Sequence, residues 1–239
     1  MVEHSLWERD VAGSNPVIPI ESRLNMNLNK FPSHLGFVED VVPDGIFDIL
    51  MTSAYEAKKS GDSSSGDLVG NLEESYNLLN NIPYYKFADV EQYILELCSE
   101  YENEFGLMGL HPIISSRLSL ELKMLWVNFQ KKYEFNPVHH HTGLYSFVIW
   151  CKIPYDYREE SELDLCKNSK MKYPGTFSFY FPDQNGRIEE HPIQLDPSYE
   201  KRIVVFPSSL SHCVYPFYTS DEYRISISGN LYLDSPRQF

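Results

Sequence analysis

The sequence predicts an α+β chain, with helices first and then an all-β second half built as a jelly roll or a related barrel with an interior site. Three observations predict it. Apolar residues recur at helical spacing only before about residue 105. From about residue 118 the period changes to two, and strand-like runs follow one another between turn signals. Some of those runs carry one apolar and one polar face, which suits a barrel whose interior opens onto water or a ligand.

The elements follow in order. Residues 1 to about 42 are rich in Pro and Asn and weakly periodic, and read as extended arms against the main domain. A helix is expected from Asp44, taken as its N-cap, to about Lys59, with Ile46, Ile49, Leu50 and Tyr55 as its apolar stripe. Ser60 to Asp67 (SGDSSSGD) reads as a flexible loop. The clearest helix covers residues 88 to 105, capped by Asp89, with Val90, Tyr93, Ile94, Leu97, Tyr101 and Phe105 on one face. Leu118, Leu120, Leu122, Met124 and Trp126 then alternate with polar residues, and the same parity runs into Asn128 and Gln130. That strand's buried face turns from aliphatic to amide, as where an interior meets a ligand.

Leu144 to Ile153 is a buried strand by its β-branched and aromatic content. Tyr155 to Gly175 is a long charged loop, either a lid or a solvated insert. Thr176 to Phe181 is a strand, Asp183 to Gly186 a hairpin turn, and Arg202 to Phe206 a strand ended by Pro207. Tyr223 to Leu233 alternates sharply, with Arg224, Ser226, Ser228 and Asn230 on one face and Ile225 and Ile227 on the other. The domain division expected is an N-terminal extension with one helix, residues 1–66, and a β-domain with its supporting helix, residues 67–239.

Composition bounds the function. A hydrophobic content of 42% supports a sizeable core, and a net charge of -14 disfavours non-specific nucleic acid binding. Four widely spaced cysteines form no CxxC pair, which favours reduced thiols over a disulfide framework. Met1 to Asp10 has no apolar h-region, and no run of about 18 apolar residues occurs, so neither a signal peptide nor a membrane partner is expected. The expected location is cytoplasmic, in the host cell if the chain is phage-encoded.

The chemistry gathers at Asn136-Pro137-Val138-His139-His140-His141. Side chains two apart on a strand share a face, so His139 and His141 can converge on one metal ion while His140 points away. A distant ligand would complete a facial site with open positions, and His212, shortly after a strand, is the candidate. Twelve residues later come Arg224 and Ser226. An inward arginine on a late strand needs an anion, and its planar fork matches a carboxylate. A structural salt bridge is the other reading of Arg224.

HxH, a distal His and then Arg-x-Ser together resemble the core of the 2-oxoglutarate/Fe(II)-dependent oxygenases. The pieces are more similar to a prolyl-hydroxylase-like branch found in phages and marine bacteria. They are Trp126-Val127-Asn128, Asn136 to His141, Phe206 to Pro216 and Arg224 to Asn230, with Leu68 to Glu73 upstream, spanning roughly residues 67 to 234. The resemblance implies a double-stranded β-helix core with N-terminal helices packed on one sheet. It implies Fe(II) held by His139, His141 and His212, and 2-oxoglutarate as co-substrate on Arg224 and Ser226. Asn128, with Gln130 at the next inward position, falls where alkylation-repair relatives carry an asparagine that touches 2-oxoglutarate. O2 is the oxidant, and the family admits ascorbate as a reductant. The implied reaction is hydroxylation of a C–H bond in an unidentified protein or small molecule.

His141 departs from the family, which usually has Asp or Glu there. A third neutral imidazole raises the site's charge by one unit, yet imidazole suits iron, zinc, copper and nickel alike. Asp156 is an alternative carboxylate ligand from the end of the next strand. Trp126, Tyr145 and Phe147 are candidate walls. Two other functions stay open: a cupin-like three-histidine dioxygenase that does not use 2-oxoglutarate, and a non-enzymatic jelly-roll binding module. Arg224 separates the first of these from the oxygenase reading, since pairing with a protein carboxylate would favour the cupin.

Overall fold

The computed structural model describes residues 26–31, 35–61, 70–110 and 119–234. The expectations for residues 1 to 25, for most of the loop from Ser60 to Asp67, and for Leu68, Val69 and Leu118 lie outside them.

The strands in chain order are β1 (Asn27–Lys30), β2 (Gly36–Val41), β3 (Ser75–Asn77), β4 (Ser119–Gln130), β5 (Asn136–His139) and β6 (Tyr145–Lys152). They continue with β7 (Phe177–Pro182), β8 (Ile188–Ile193), β9 (Arg202–Pro207), β10 (Ser211–Val214) and β11 (Arg224–Asp234). The helices are α1 (Asp44–Ser60), α2 (Tyr84–Phe105) and the short α3 (Tyr157–Ser161). None of the described helices is long and apolar enough to cross a membrane.

Two antiparallel sheets face each other as a jelly roll. A seven-stranded sheet runs β1-β2-β9-β6-β11-β4-β3, and a four-stranded sheet runs β5-β10-β7-β8. The N-terminal arm is part of the large sheet, since β2 pairs with β9 through Val38 and Val205. One core joins the helices to the large sheet: Leu50 and Ala54 of α1 and Ile94 and Leu97 of α2 pack with Val127 and Ile227. A second core fills the space between the sheets with Trp150, Phe177, Phe179, Val204 and Phe206.

Several local expectations need correction. Asp44 is the first residue of α1 rather than its cap; Pro43 holds the N-cap position, and the Asp44 carboxylate meets Lys201 Nζ at 2.7 Å. Tyr55 is exposed, and the buried stripe of α1 is Ile46, Leu50, Ala54 and Ala57. The second helix begins at Tyr84, directly after Pro83, so Asp89 lies inside it. In each case a proline with its fixed φ launches the helix and takes the place expected of an acidic cap.

The most consequential difference is in β4. Its inward parity does not run unbroken from Leu120 to Gln130. Asn230 of β11 pairs with Met124, but the next residue, Leu231, pairs with Leu122, so Lys123 is an extra residue in a β-bulge. The bulge exchanges the faces. Leu122 packs with the helix-side core together with Leu125, Val127 and Phe129. Met124, Trp126, Asn128 and Gln130 line the cavity between the sheets.

The stretch from Tyr155 to Gly175 is pinned. Glu160 of α3 is fully buried. Its carboxylate accepts the backbone N–H of Tyr218 (2.9 Å), the N–H of Thr219 (2.8 Å) and the Thr219 hydroxyl (2.6 Å). Removing it takes the acceptor from three donors on the half-buried Tyr218 and the exposed Thr219, and a hydrogen bond to a charged group contributes about 1.5–3 kcal/mol, less where water can replace the acceptor. Glu160→Ala is therefore expected to lower unfolding stability by about 3 kcal/mol. Urea titration checks this: the midpoint should drop at unchanged slope, and Glu160→Gln should recover part of the loss.

Candidate metal centre

β5 and β10 are neighbours, and their register sets His139 directly opposite His212. His141 lies two residues beyond His139, held where its backbone N–H donates to Ser208 O at 2.8 Å. One ligand atom from each of the three imidazoles lies within 4.8 Å of the others. His140 is exposed.

The outer ring nitrogens are already used. Nδ1 of His139 donates to Pro137 O at 2.7 Å, and Nδ1 of His212 donates to Leu210 O at 2.9 Å. Those bonds fix the tautomers and leave both Nε2 lone pairs facing inward, as in metal-bound histidines. Nε2 of His141 stands 3.2 Å from Nε2 of His212. That separation is short enough for one metal ion to take both nitrogens. Burial lowers the basicity of all three rings, with further lowering from neighbouring histidines at His141 and His212. His141 is pushed down to about 4 and His212 well below its ordinary value. All three are neutral at pH 7, the state that ligation requires. The donor set therefore fits a divalent metal that accepts nitrogen ligands.

The same cavity, about 360 Å³, is lined by Arg224, Ser226, Asn128 and Gln130. Arg224 is 2% exposed. Its Nε and Nη2 donate to Gln130 Oε1 at 3.2 and 2.5 Å. Nη1 donates to the Tyr155 hydroxyl at 2.5 Å, and Nη2 also donates to Tyr215 O at 3.1 Å. Among the described residues no carboxylate takes part. Asn128 Oδ1 is buried without a hydrogen-bond partner among the described residues. A buried cation beside unfilled polar groups is a binding arrangement for an anion.

The structure thus brings His139, His141, His212, Arg224, Ser226, Asn128 and Gln130 to one cavity and leaves Tyr145 and Asp156 outside it. Gln130 lines the cavity and also grips Arg224. Tyr145 is not a wall; its hydroxyl donates to Glu102 of α2 at 2.7 Å on the helix side. Trp126 and Phe147 both border the cavity, as do Val148 and Trp150, which the sequence reading passed over. Asp156 caps α3 and pairs with Arg158 (2.8 Å), so it is not the carboxylate ligand. No described residue from 155 to 175 lines the cavity. Tyr155, which touches Arg224, was missed; it follows the end of β6, where no periodicity marks a residue.

Residues 124–230 match the family model described as "Putative 2OG-Fe(II) oxygenase". Among curated proteins none matches. Among solved structures, the chain is similar to a prolyl-4-hydroxylase of Pseudomonas putida, with TM-score 0.51 and 12% identity, over 84% of this chain and 94% of that one. It is also similar to AviO1 of Streptomyces viridochromogenes Tue57, with TM-score 0.49 and 12% identity, over 84% and 90%. At such identity the prolyl-4-hydroxylase likeness establishes the fold. With the family match and the imidazole cluster, residues 124–230 are a 2OG-Fe(II) oxygenase domain, of a family that works with Fe(II), 2-oxoglutarate and O2.

Proposed function

We propose that this oxygenase hydroxylates a C–H bond, with His139, His141 and His212 holding Fe(II) and Arg224 holding the far carboxylate of 2-oxoglutarate. The single observation behind the assignment is a buried guanidinium with no carboxylate partner among the described residues, in one cavity with three convergent imidazoles. Fe(II), when bound, supplies activation of O2 coupled to oxidative decarboxylation of 2-oxoglutarate. The chain supplies position and dryness. Gln130 and Tyr155 lock the Arg224 fork, so little ordering cost remains when a carboxylate arrives. Ser226 offers a hydroxyl on the same face, and the Asn128 amide offers its unused oxygen or, flipped, its NH2. Trp150, Phe177 and Phe206 wall the cavity with apolar surface and keep water away from the reacting atoms.

The motif set favours the prolyl-hydroxylase-like branch of phages and marine bacteria. The -14 charge favours a protein or small-molecule substrate over nucleic acid. Four free, buried cysteines are in keeping with a reducing cytoplasm.

Anaerobic iron loading followed by succinate release tests the clamp. Arg224→Ala is expected to weaken 2-oxoglutarate about 100-fold while Fe(II) affinity changes little, as for loss of a buried charge-assisted pair. Tyr155→Phe should weaken it about 3- to 10-fold, one neutral hydrogen bond. Equal half-saturation in wild type and Arg224→Ala would remove the assignment.

A pH experiment tests the imidazoles separately. His141 titrates at about 4 in the folded protein, against roughly 6.5 in an unfolded chain. Below 6.5 the unfolded chain takes up a proton that the folded one refuses, so this group costs stability as pH falls from about 6.5 to 4. Above 6.5 it contributes nothing. Urea midpoints of metal-free wild type and His141→Asn should therefore diverge across that window, with the wild type losing more.

A further inference from the structure

We infer that the oxygenase's own substrate is an organic anion, a carboxylate attached to an apolar segment, bound at the outer end of the cavity through Lys123. The inference rests on the assignment above and extends it to the substrate.

The β4/β11 ladder gives the cavity four rungs: Gln130 opposite Arg224, Asn128 opposite Ser226, Trp126 opposite Ser228, and Met124 opposite Asn230. Each step is two residues, so the rungs span roughly 20 Å. Arg224 sits on the first. The Trp126 ring is 5.7 Å from that of His141, so the imidazoles lie level with the third. The fourth rung therefore lies on the far side of the metal ligands from Arg224, beyond the co-substrate. It is open, since Met124 is 42% exposed.

The β-bulge adds Lys123 to that end. In a regular strand Lys123 and Met124 would face opposite ways. With the extra residue at Lys123, both line the cavity. Bulges beside active sites often re-aim a side chain in this way. Among the described residues no Asp or Glu lines the cavity, in a chain that has 34 of them and a net charge of -14. Within about a Debye length of the surface, roughly 8 Å, an approaching anion is repelled by the net negative charge. A lysine at the mouth is what such a ligand requires, and a cationic substrate would call for the opposite. Lys123 Nζ is 3.1 Å from Glu121, but this pair is 42% and 50% exposed. Exposed pairs are weak, so a substrate carboxylate can displace Glu121. The Met124 thioether and Trp126 indole supply apolar contact beside it.

The test uses protein loaded with Mn(II) and saturated with N-oxalylglycine, which blocks Arg224. Proton line broadening by the paramagnetic ion reports which probes come near it. Phenylacetate is expected to broaden about fivefold more than phenethylamine. Acetyl-Phe-Glu-amide against acetyl-Phe-Lys-amide asks whether an acidic side chain serves in place of a free acid. Lys123→Glu should abolish or reverse the preference, and Zn(II) loading should remove all broadening. An acid preference in either pair that depends on Lys123 supports the inference, and the pair that shows it identifies the source. Equal broadening in both pairs, or a preference untouched by Lys123→Glu, overturns it. N-oxalylglycine binding that ignores Arg224→Ala would instead overturn the clamp, so the two failures are distinct.

Discussion

Arg224 is the constraint on which the arrangement depends. A guanidinium does not shed its proton, so burial leaves a full charge in a poor dielectric. Here that charge is 2% exposed and bonded only to neutral oxygens. The ladder holds it there. β11 is paired on both sides, by β4 and β6, and Gln130 is the register partner of Arg224. The amide of Gln130 is oriented in turn by donating Nε2 to Glu134 O at 2.5 Å. Glu134 is a buried carboxylate close by, but its oxygens accept the backbone N–H groups of Lys131 (2.8 Å) and Glu73 (3.2 Å).

The metal-binding half of the site comes from the other sheet. β5 and β10 present His139 and His212, while β4 and β11 present the polar rungs, so the site exists only where two inner faces meet. The core between the sheets does double duty. Phe177 stacks on His212 with ring centres 5.4 Å apart, and Phe206 meets it edge-on at 5.0 Å. The same apolar packing that joins the sheets keeps the imidazoles neutral and their inward lone pairs free. Stability and reactivity draw here on one set of contacts.

The site was legible in the sequence where strand alternation carried it. His139 and His141 share a face because of a two-residue period, and so do Arg224, Ser226, Ser228 and Asn230. A period says nothing about an inserted residue. The alternation from Leu120 to Gln130 looks continuous, yet the bulge at Lys123 turns Leu122 to one side and Met124 to the other. Tyr155 and Glu160 were illegible for another reason. Each acts on a residue about 60 to 70 positions away, through contacts that only the folded chain creates. Asp44 and Asp89 looked like caps because acids favour helix starts, but a neighbouring proline decides the start in both helices.

The unusual third imidazole joins these strands of argument. On the proposed assignment Fe(II) contributes two positive charges and Arg224 one, and 2-oxoglutarate returns two negative charges. With three neutral histidines these groups keep one net positive charge, and Lys123 at the outer end adds a second. An Asp or Glu in place of His141 would lower that total by one. Inside an apolar enclosure uncompensated charge is costly, and among the described residues nothing in the lining supplies a carboxylate to absorb it. An anionic substrate at the Lys123 end would offset one of the two charges. The departure at His141 and the bulge at Lys123 then act in the same direction: both make the cavity more attractive to an anion.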